Sequence, residues 1–301
     1  MTDATILIPT YRHAELLPYA VRSALAQEGV EIDVFVVGDG VEEDTRAALE
    51  PFLADSRVRF FDRPKGKRNG ETLRHEALQE STAPIVCYLS DDDLLLPGHV
   101  AQMLELLEDA DFAHDLTVNV LPDGSLRYNV FDFGRPEFVE RVAAGRAGVG
   151  LTGASHTRAA YDRLPFGWRP APPGVPSDIY MWQQFLSLPG FTGVTSDRLR
   201  ALIFPSPRRT HMAAGERAAE LEVWQSRIRD PHFPTELDAM VATAARRAAE
   251  RLKLKSVRLE RELERIQRTR WWRARRAVAE LKPVRVLRAR RCDESPTDLQ
   301  L

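Results

Sequence analysis

Over the first hundred residues, short β-branched apolar runs alternate with segments whose apolar positions recur every three or four residues. That alternation predicts a mostly parallel, layered α/β sheet. Residues 5–9 read as a first strand, followed by a helix over 13–27 with Leu16, Leu17, Ala20, Ala24 and Leu25 inward. Residues 32–37 form a second strand ending at Gly38-Asp39-Gly40, followed by a helix over 42–53. A short third strand at 58–61 leads through a Gly/Lys-rich loop, 64–70, into a helix over 71–80. The fourth strand, 85–89, delivers Ser90-Asp91-Asp92-Asp93 to its carboxyl end, and Pro97 opens a helix to residue 108.

The pattern then changes. Residues 112–133 are strand-like around an Asp123-Gly124 turn, which predicts a hairpin, and 138–144 a short helix. The glycine-rich 145–155 and proline-rich 165–176 read as loops, 179–188 as a helix and 202–205 as a last strand. Beyond 207 the chain is helix-prone, interrupted only near 230–234. The expected division is a body over 1–206, with halves 1–108 and 109–206, and a helical basic extension over 207–301.

Composition narrows the class. With 44% hydrophobic and 29% charged residues in a 301-residue chain, the protein is globular, and no apolar run approaches the roughly 18 residues a membrane span requires. The first residues run directly into a strand pattern without a basic and apolar leader, which argues for a cytoplasmic location. Cys87 and Cys292 give neither a disulfide framework nor a zinc spacing. Charge is polarised: residues 246–291 hold 18 Lys/Arg against 5 Asp/Glu, while the rest holds 24 against 39. In that tail Trp271 and Trp272 lie among arginines, which suits an amphipathic helix on an anionic membrane surface or a helix packed on a partner. Leu252, Leu259 and Ile266 recur at sevens with Leu263 between, a pattern that allows self-association. The acidic body and the lack of a recognised motif speak against nucleic acid.

The candidate chemistry gathers at strand ends. In open α/β sheets ligands sit beyond the carboxyl ends of the strands, where Thr10, Asp39 and Asp91 to Asp93 all fall. Two like charges about 4 Å apart repel by roughly 4 kcal/mol at an effective dielectric near 20, so a partly buried triplet needs a proton, basic partners or a cation. A helix cap accounts for one of the three carboxylates; Mg²⁺ or Mn²⁺, completed by phosphates and water, accounts for all of them. Asp39 is either a turn residue or a carboxylate that meets a base or ribose. A nicotinamide fold is disfavoured, because Pro9-Thr10-Tyr11-Arg12-His13 replaces the glycine fingerprint after the first strand.

Ile6-Leu7-Ile8-Pro9-Thr10-Tyr11, Val36-Val37-Gly38-Asp39-Gly40 with Asp44-Thr45, Arg74, and Ser90-Asp91-Asp92-Asp93 with Pro97 together resemble the nucleotide-binding half of family 2 glycosyltransferases. The spacing is particularly similar to that of the bacterial spore-coat polysaccharide glycosyltransferases. The resemblance implies a GT-A fold, an α/β architecture with a mostly parallel central sheet and helices on both faces, to which this chain adds its C-terminal helical extension. It implies a UDP- or dTDP-sugar donor and a carbohydrate or lipid-linked acceptor. Thr10 and Asp39 would meet the base, uracil or thymine, with Pro9 and Tyr11 in the same nucleotide site, Arg74 would meet the base or phosphate, and Asp91 the ribose. Asp92 would hold Mn²⁺ or Mg²⁺ at the diphosphate, and Asp93 would join it there, support Asp92 or order the loop. The family often has Asp where Gly38 stands, and Ser90 occupies a position that an Asp-x-Asp frame would fill with Asp.

Transfer with inversion also requires a base for the acceptor hydroxyl. By the same resemblance Asp178, at the head of the helix that follows Val175-Pro176-Ser177, takes that role; its other reading is a helix cap. His156, Arg208, Arg209 and His211 are further candidates for acceptor or diphosphate contacts, with a surface histidine and a solvated basic turn as their alternatives. A catalytically inactive sugar-nucleotide-binding subunit and a metal-dependent nucleotidyltransferase or phosphohydrolase are the competing functions.

Overall fold

A computed structural model describes residues 2–116, 118–146 and 148–269. The chain divides into two compact units, 1–248 and 249–301. The first is built on a seven-stranded sheet ordered β10-β6-β9-β4-β1-β2-β3. Its parallel part comprises β1 (Ala4–Thr10), β2 (Ile32–Asp39), β3 (Val58–Arg63) and β4 (Ile85–Tyr88). β6 (Phe112–His114) and β10 (Gly193–Thr195) pair in parallel, and β9 (Ala154–Thr157) joins β4 to β6 by antiparallel pairing on both sides.

Strand geometry explains how one apolar run serves two cores. Successive side chains point to opposite faces. Ile6, Ile8, Val34, Val36, Ile85 and Cys87 enter one apolar cluster with α1 (Leu17–Leu25) and α4 (His99–Leu106). The alternate residues Leu7, Phe35, Val37, Val86 and Tyr88 enter another, with α3 (Glu71–Gln79), α6 (Arg158–Asp162) and α7 (Ser177–Leu186). Burial on both faces is why these strands read as continuous apolar runs rather than alternating ones. Because β1, β2 and β4 are parallel, Thr10, Asp39 and the 90–93 segment emerge at the same edge.

Several expectations are corrected. The 145–155 region is not loop throughout: β9 begins at Ala154 and lies inside the sheet, where tertiary pairing outweighs the weak β preference of Ala-Ser-His. The expected 112–133 hairpin contracts to β7 (Val118–Val120) and β8 (Leu126–Tyr128), because Phe112–His114 joins the main sheet. Leu94–Leu95, β5, pairs antiparallel with Ala201–Leu202, β11, a link that two residues on each side could not announce in sequence. α2 (Glu43–Leu49) ends in a 3₁₀ turn, and α5 is Pro136–Ala143.

The boundary also falls later than 206. α8 (Ala214–Ile228) and the first part of α9 (Phe233–Gln267) belong to the first unit. There Leu221, Trp224, Phe233 and Leu237 form a third apolar cluster with Phe204, Leu94 and Val120. The second unit is described over 249–269 and is helical to Gln267, with Leu252, Leu259, Leu263 and Ile266 exposed. The Trp271-Trp272 segment and Cys292 lie outside the described residues. No helix among the described residues is long and apolar enough to cross a membrane.

Candidate active site

At the carboxyl edge of the sheet lies a cleft of ≈ 570 Å³ bounded by β1, β2, the 65–70 loop, α3, the acidic segment and the head of α7. Pro9, Thr10, Tyr11, Asp39, Arg74, Asp91, Asp92 and Asp178, eight of the residues named from sequence, line it. The structure brings these together although up to 169 positions separate them in the chain.

One end is organised around Asp39, which is 6% exposed. Its Oδ1 accepts a hydrogen bond from the Gly66 backbone N–H at 2.6 Å, and its Oδ2 pairs with Lys65. Gly70, at φ +69°, leaves room for this carboxylate: a Cβ there would stand 2.7 Å from Asp39 Cγ. Lys65 Nζ also lies 4.8 Å from the centroid of the Tyr11 ring, which is 36% exposed. The Thr10 hydroxyl is buried without a partner among the described residues. Lys65, Arg68 and Asn69 were missed from sequence, since a Gly/Lys-rich loop is ordinarily a solvated turn.

Arg74 forms the floor. Its guanidinium carbon sits 4.8 Å above the Trp168 ring, and Nη2 donates to the Asn69 carbonyl at 2.9 Å. Nε is buried and unpartnered among the described residues. Burial pulls its pKa below the ordinary guanidinium value, opposed by Glu71. A buried cation with an unused donor beside a cleft favours an anionic ligand.

Asp178 stands in the first turn of α7, where the helix dipole favours a carboxylate. Ile179 N–H donates to its Oδ1 at 2.9 Å. Burial pushes its pKa above the usual carboxylate range, partly opposed by those backbone bonds and by Arg74. The helix head is tied to α3 by a buried network that sequence gave no sign of. Ser177 Oγ donates to Glu71 Oε1 at 2.7 Å, Asn69 Nδ2 donates to Ser177 Oγ at 2.8 Å, and Asn69 N–H reaches Glu71 Oε2 at 3.1 Å. Asp178 and Pro176 also border a second cleft of ≈ 780 Å³, lined in part by Val149, Ile179, Tyr180 and Gln183.

The three consecutive carboxylates have different surroundings. Asp91 Oδ1 lies 2.7 Å from His13 Nδ1, a bond that raises the imidazole pKa against the opposing effect of burial. Asp92 Oδ2 accepts from Ser206 Oγ at 2.5 Å and from Arg217 Nη2 at 2.7 Å. Asp93 does not line the cleft and orders the loop instead, the last of its expected roles. Its Oδ2 accepts from Thr152 Oγ1 at 2.5 Å and its Oδ1 from the Phe204 N–H at 2.7 Å, so it pins two segments together. Burial, then Asp92, pushes its pKa up to about 8.

Donor atoms of His13, Asp91 and Asp92 all lie within 4.8 Å of one another. Two carboxylates and an imidazole, without sulfur and facing a cleft, fit a divalent ion such as Mn²⁺ or Mg²⁺.

Four other expectations change. His156 is fully buried, bonded through Nε2 to the Tyr88 hydroxyl at 2.8 Å and stacked on Tyr161; burial pulls its pKa down to about 4, so it is a neutral core residue. Arg209 is 2% exposed and donates twice to Glu220 at 2.6 Å, pinning α8 rather than meeting a ligand. Arg208 and His211 are exposed and do not line the cleft. The basic side chain that this region does send to the acidic cluster is Arg217, which the helical pattern alone could not single out.

Residues 5–164 match the model of Glycosyl transferase family 2. A β-1,3-glucosyltransferase of Campylobacter jejuni acting on GalNAc(5)-diNAcBac-PP-undecaprenol is 24% identical over 115 residues, 38% of this chain and 37% of that protein. Succinoglycan biosynthesis protein ExoO of Rhizobium meliloti is 31% identical over 103 residues, 34% of this chain and 29% of that protein. The chain thus spans well under half the length of these relatives. The crystal structure of S. aureus TarS 1-349 in complex with UDP-GlcNAc superposes with a TM-score of 0.55 at 12% identity, covering 67% of this chain and 58% of that one. That likeness is one of fold.

Proposed function

Because this chain belongs to glycosyl transferase family 2, we propose that it moves a sugar from a UDP- or dTDP-sugar to a carbohydrate or lipid-linked acceptor in the assembly of a bacterial surface polysaccharide. The observation that carries the reading is the convergence on one cleft of Asp39, Arg74, Asp91, Asp92 and Asp178. Asp39 and Thr10 receive the base, with Tyr11 beside it, while Arg74 presents its free donor to the nucleotide. Asp92, with His13 and with Asp91 taken here as a ligand rather than a ribose contact, would hold Mn²⁺ or Mg²⁺, which when bound acts as a Lewis acid on the diphosphate.

The remaining chemistry belongs to the chain. An acceptor hydroxyl in the second cleft reaches Asp178, which borders both cavities. The carboxylate takes the hydroxyl proton as the acceptor oxygen bonds to the anomeric carbon, and the bond from that carbon to the diphosphate oxygen breaks with inversion. Arg74 offsets charge on the departing nucleoside diphosphate. The cell-level reading is a protein at the inner face of the membrane, with the basic tail toward anionic lipid and the exposed leucines of the C-terminal helix available for self-association.

Product analysis with UDP- and dTDP-sugars and Mn²⁺ tests this reading. Free nucleoside diphosphate is expected; monophosphate or pyrophosphate would point to a hydrolase or nucleotidyltransferase instead, and no turnover of any donor would favour a binding subunit. A second expectation follows from Gly70. Gly70→Ala pushes a methyl group into Asp39 at a backbone angle that disfavours side chains, and should weaken UDP binding by about five-fold or more by calorimetry.

A further inference from the structure

We propose that Arg217 is a built-in counter-cation for Asp92 that sets how tightly the acidic cluster takes a divalent ion; the inference rests on the glycosyltransferase reading of that cluster. α8 brings the guanidinium to the cluster, with Nη2 2.7 Å from Asp92 Oδ2 and 3.1 Å from Ser206 Oγ. The two side chains are only 13% and 12% exposed, so the pair forms largely out of water, where a unit charge acts more strongly than on an open surface. Arg217 Nε is buried without a partner among the described residues, and Asp92 is the carboxylate with which the guanidinium forms its ion pair.

The helix that carries Arg217 is held firmly. Glu220 is gripped by Arg209, and Leu221 and Trp224 are buried in the third apolar cluster. The guanidinium is therefore a fixture of the first unit rather than a surface side chain that happened to settle nearby. A divalent ion that approaches Asp92 must share the carboxylate with a positive charge or displace it. Arg217 is thus a positioning residue with an electrostatic cost to ion binding, and its removal should tighten that binding. A purely structural role predicts the opposite sign, because loosening Asp92 would weaken the site.

The test is a titration of the full chain with Mn²⁺ alone, following free ion by electron paramagnetic resonance and folding by circular dichroism. Arg217→Gln is expected to bind Mn²⁺ about ten-fold more tightly than the unmodified protein, a shift within reach of one partly buried charge. Arg217→Lys, whose ammonium on a shorter stem pairs less closely, should bind about three-fold more tightly, and it decides the matter if the glutamine variant does not fold. Ser206→Ala leaves the guanidinium in place and should stay within about two-fold of the unmodified protein. Equal or weaker Mn²⁺ binding in the folded arginine variants overturns the proposal while leaving the metal reading intact. Failure of every form to bind Mn²⁺ overturns both.

Discussion

Asp92→Asn is expected to lower the rate of sugar transfer by about a thousand-fold and to abolish the Mn²⁺-dependent part of nucleotide binding together. The substitution keeps the shape of the side chain and removes its charge. The asparagine oxygen can still accept from Ser206 and Arg217, so the 90–93 segment should keep its place and the protein its fold. What is lost is an anionic ligand in a group of three donors, and Arg217 is then left as an uncompensated cation beside the ion. Both losses act in the same direction. Steady-state kinetics with Mn²⁺ and UDP titrations with and without Mn²⁺ check it; a variant that keeps transfer and metal-linked binding removes Asp92 from the site.

Asp178→Asn should lower kcat by about a thousand-fold while donor binding stays within about two-fold, the signature of a lost proton acceptor rather than a lost contact. Its partner Ile179 N–H can bond the asparagine oxygen equally well, so the head of α7 should remain intact. The pH profile gives a second readout. Burial raises the carboxyl pKa, and a base works only when ionised, so kcat should fall as pH drops through a value above the ordinary carboxylate range. The asparagine variant should lack that acid limb. An unchanged kcat, or an acid limb that survives the substitution, would exclude Asp178 as the base.

The parallel half of the fold was legible because its signals are local and mutually consistent. The runs around Leu7, Phe35 and Val86 are buried on both faces, and helical spacings separate them, so type and order follow from periodicity. β9 was not legible, since Ala154, Ser155 and His156 earn their strand from neighbours on both sides. In the site, the strand-end rule placed Thr10, Asp39 and the acidic triplet at one edge, but it could not sort the triplet. Which carboxylate faces the cleft depends on long-range partners: Thr152 and Phe204 take Asp93, while Ser206 and Arg217 take one oxygen of Asp92. The Glu71–Ser177–Asn69 network was hidden for the same reason, because it joins residues more than a hundred positions apart. Among the basic candidates after the last strand, charge alone could not separate Arg209, which is locked to Glu220, from Arg217, which reaches the cluster.

The proposed function requires that one cleft hold a nucleoside diphosphate between Asp39 and an ion on Asp92. A crystal structure with UDP and Mn²⁺, phased on the manganese anomalous signal, tests it most directly. The anomalous peak is expected in contact with Asp92 and the diphosphate, with the uracil against Thr10 and Asp39. Nucleotide bound outside this cleft, or bound within it with no manganese at Asp92 while Arg217 keeps its grip on that carboxylate, would overturn the assignment of this site.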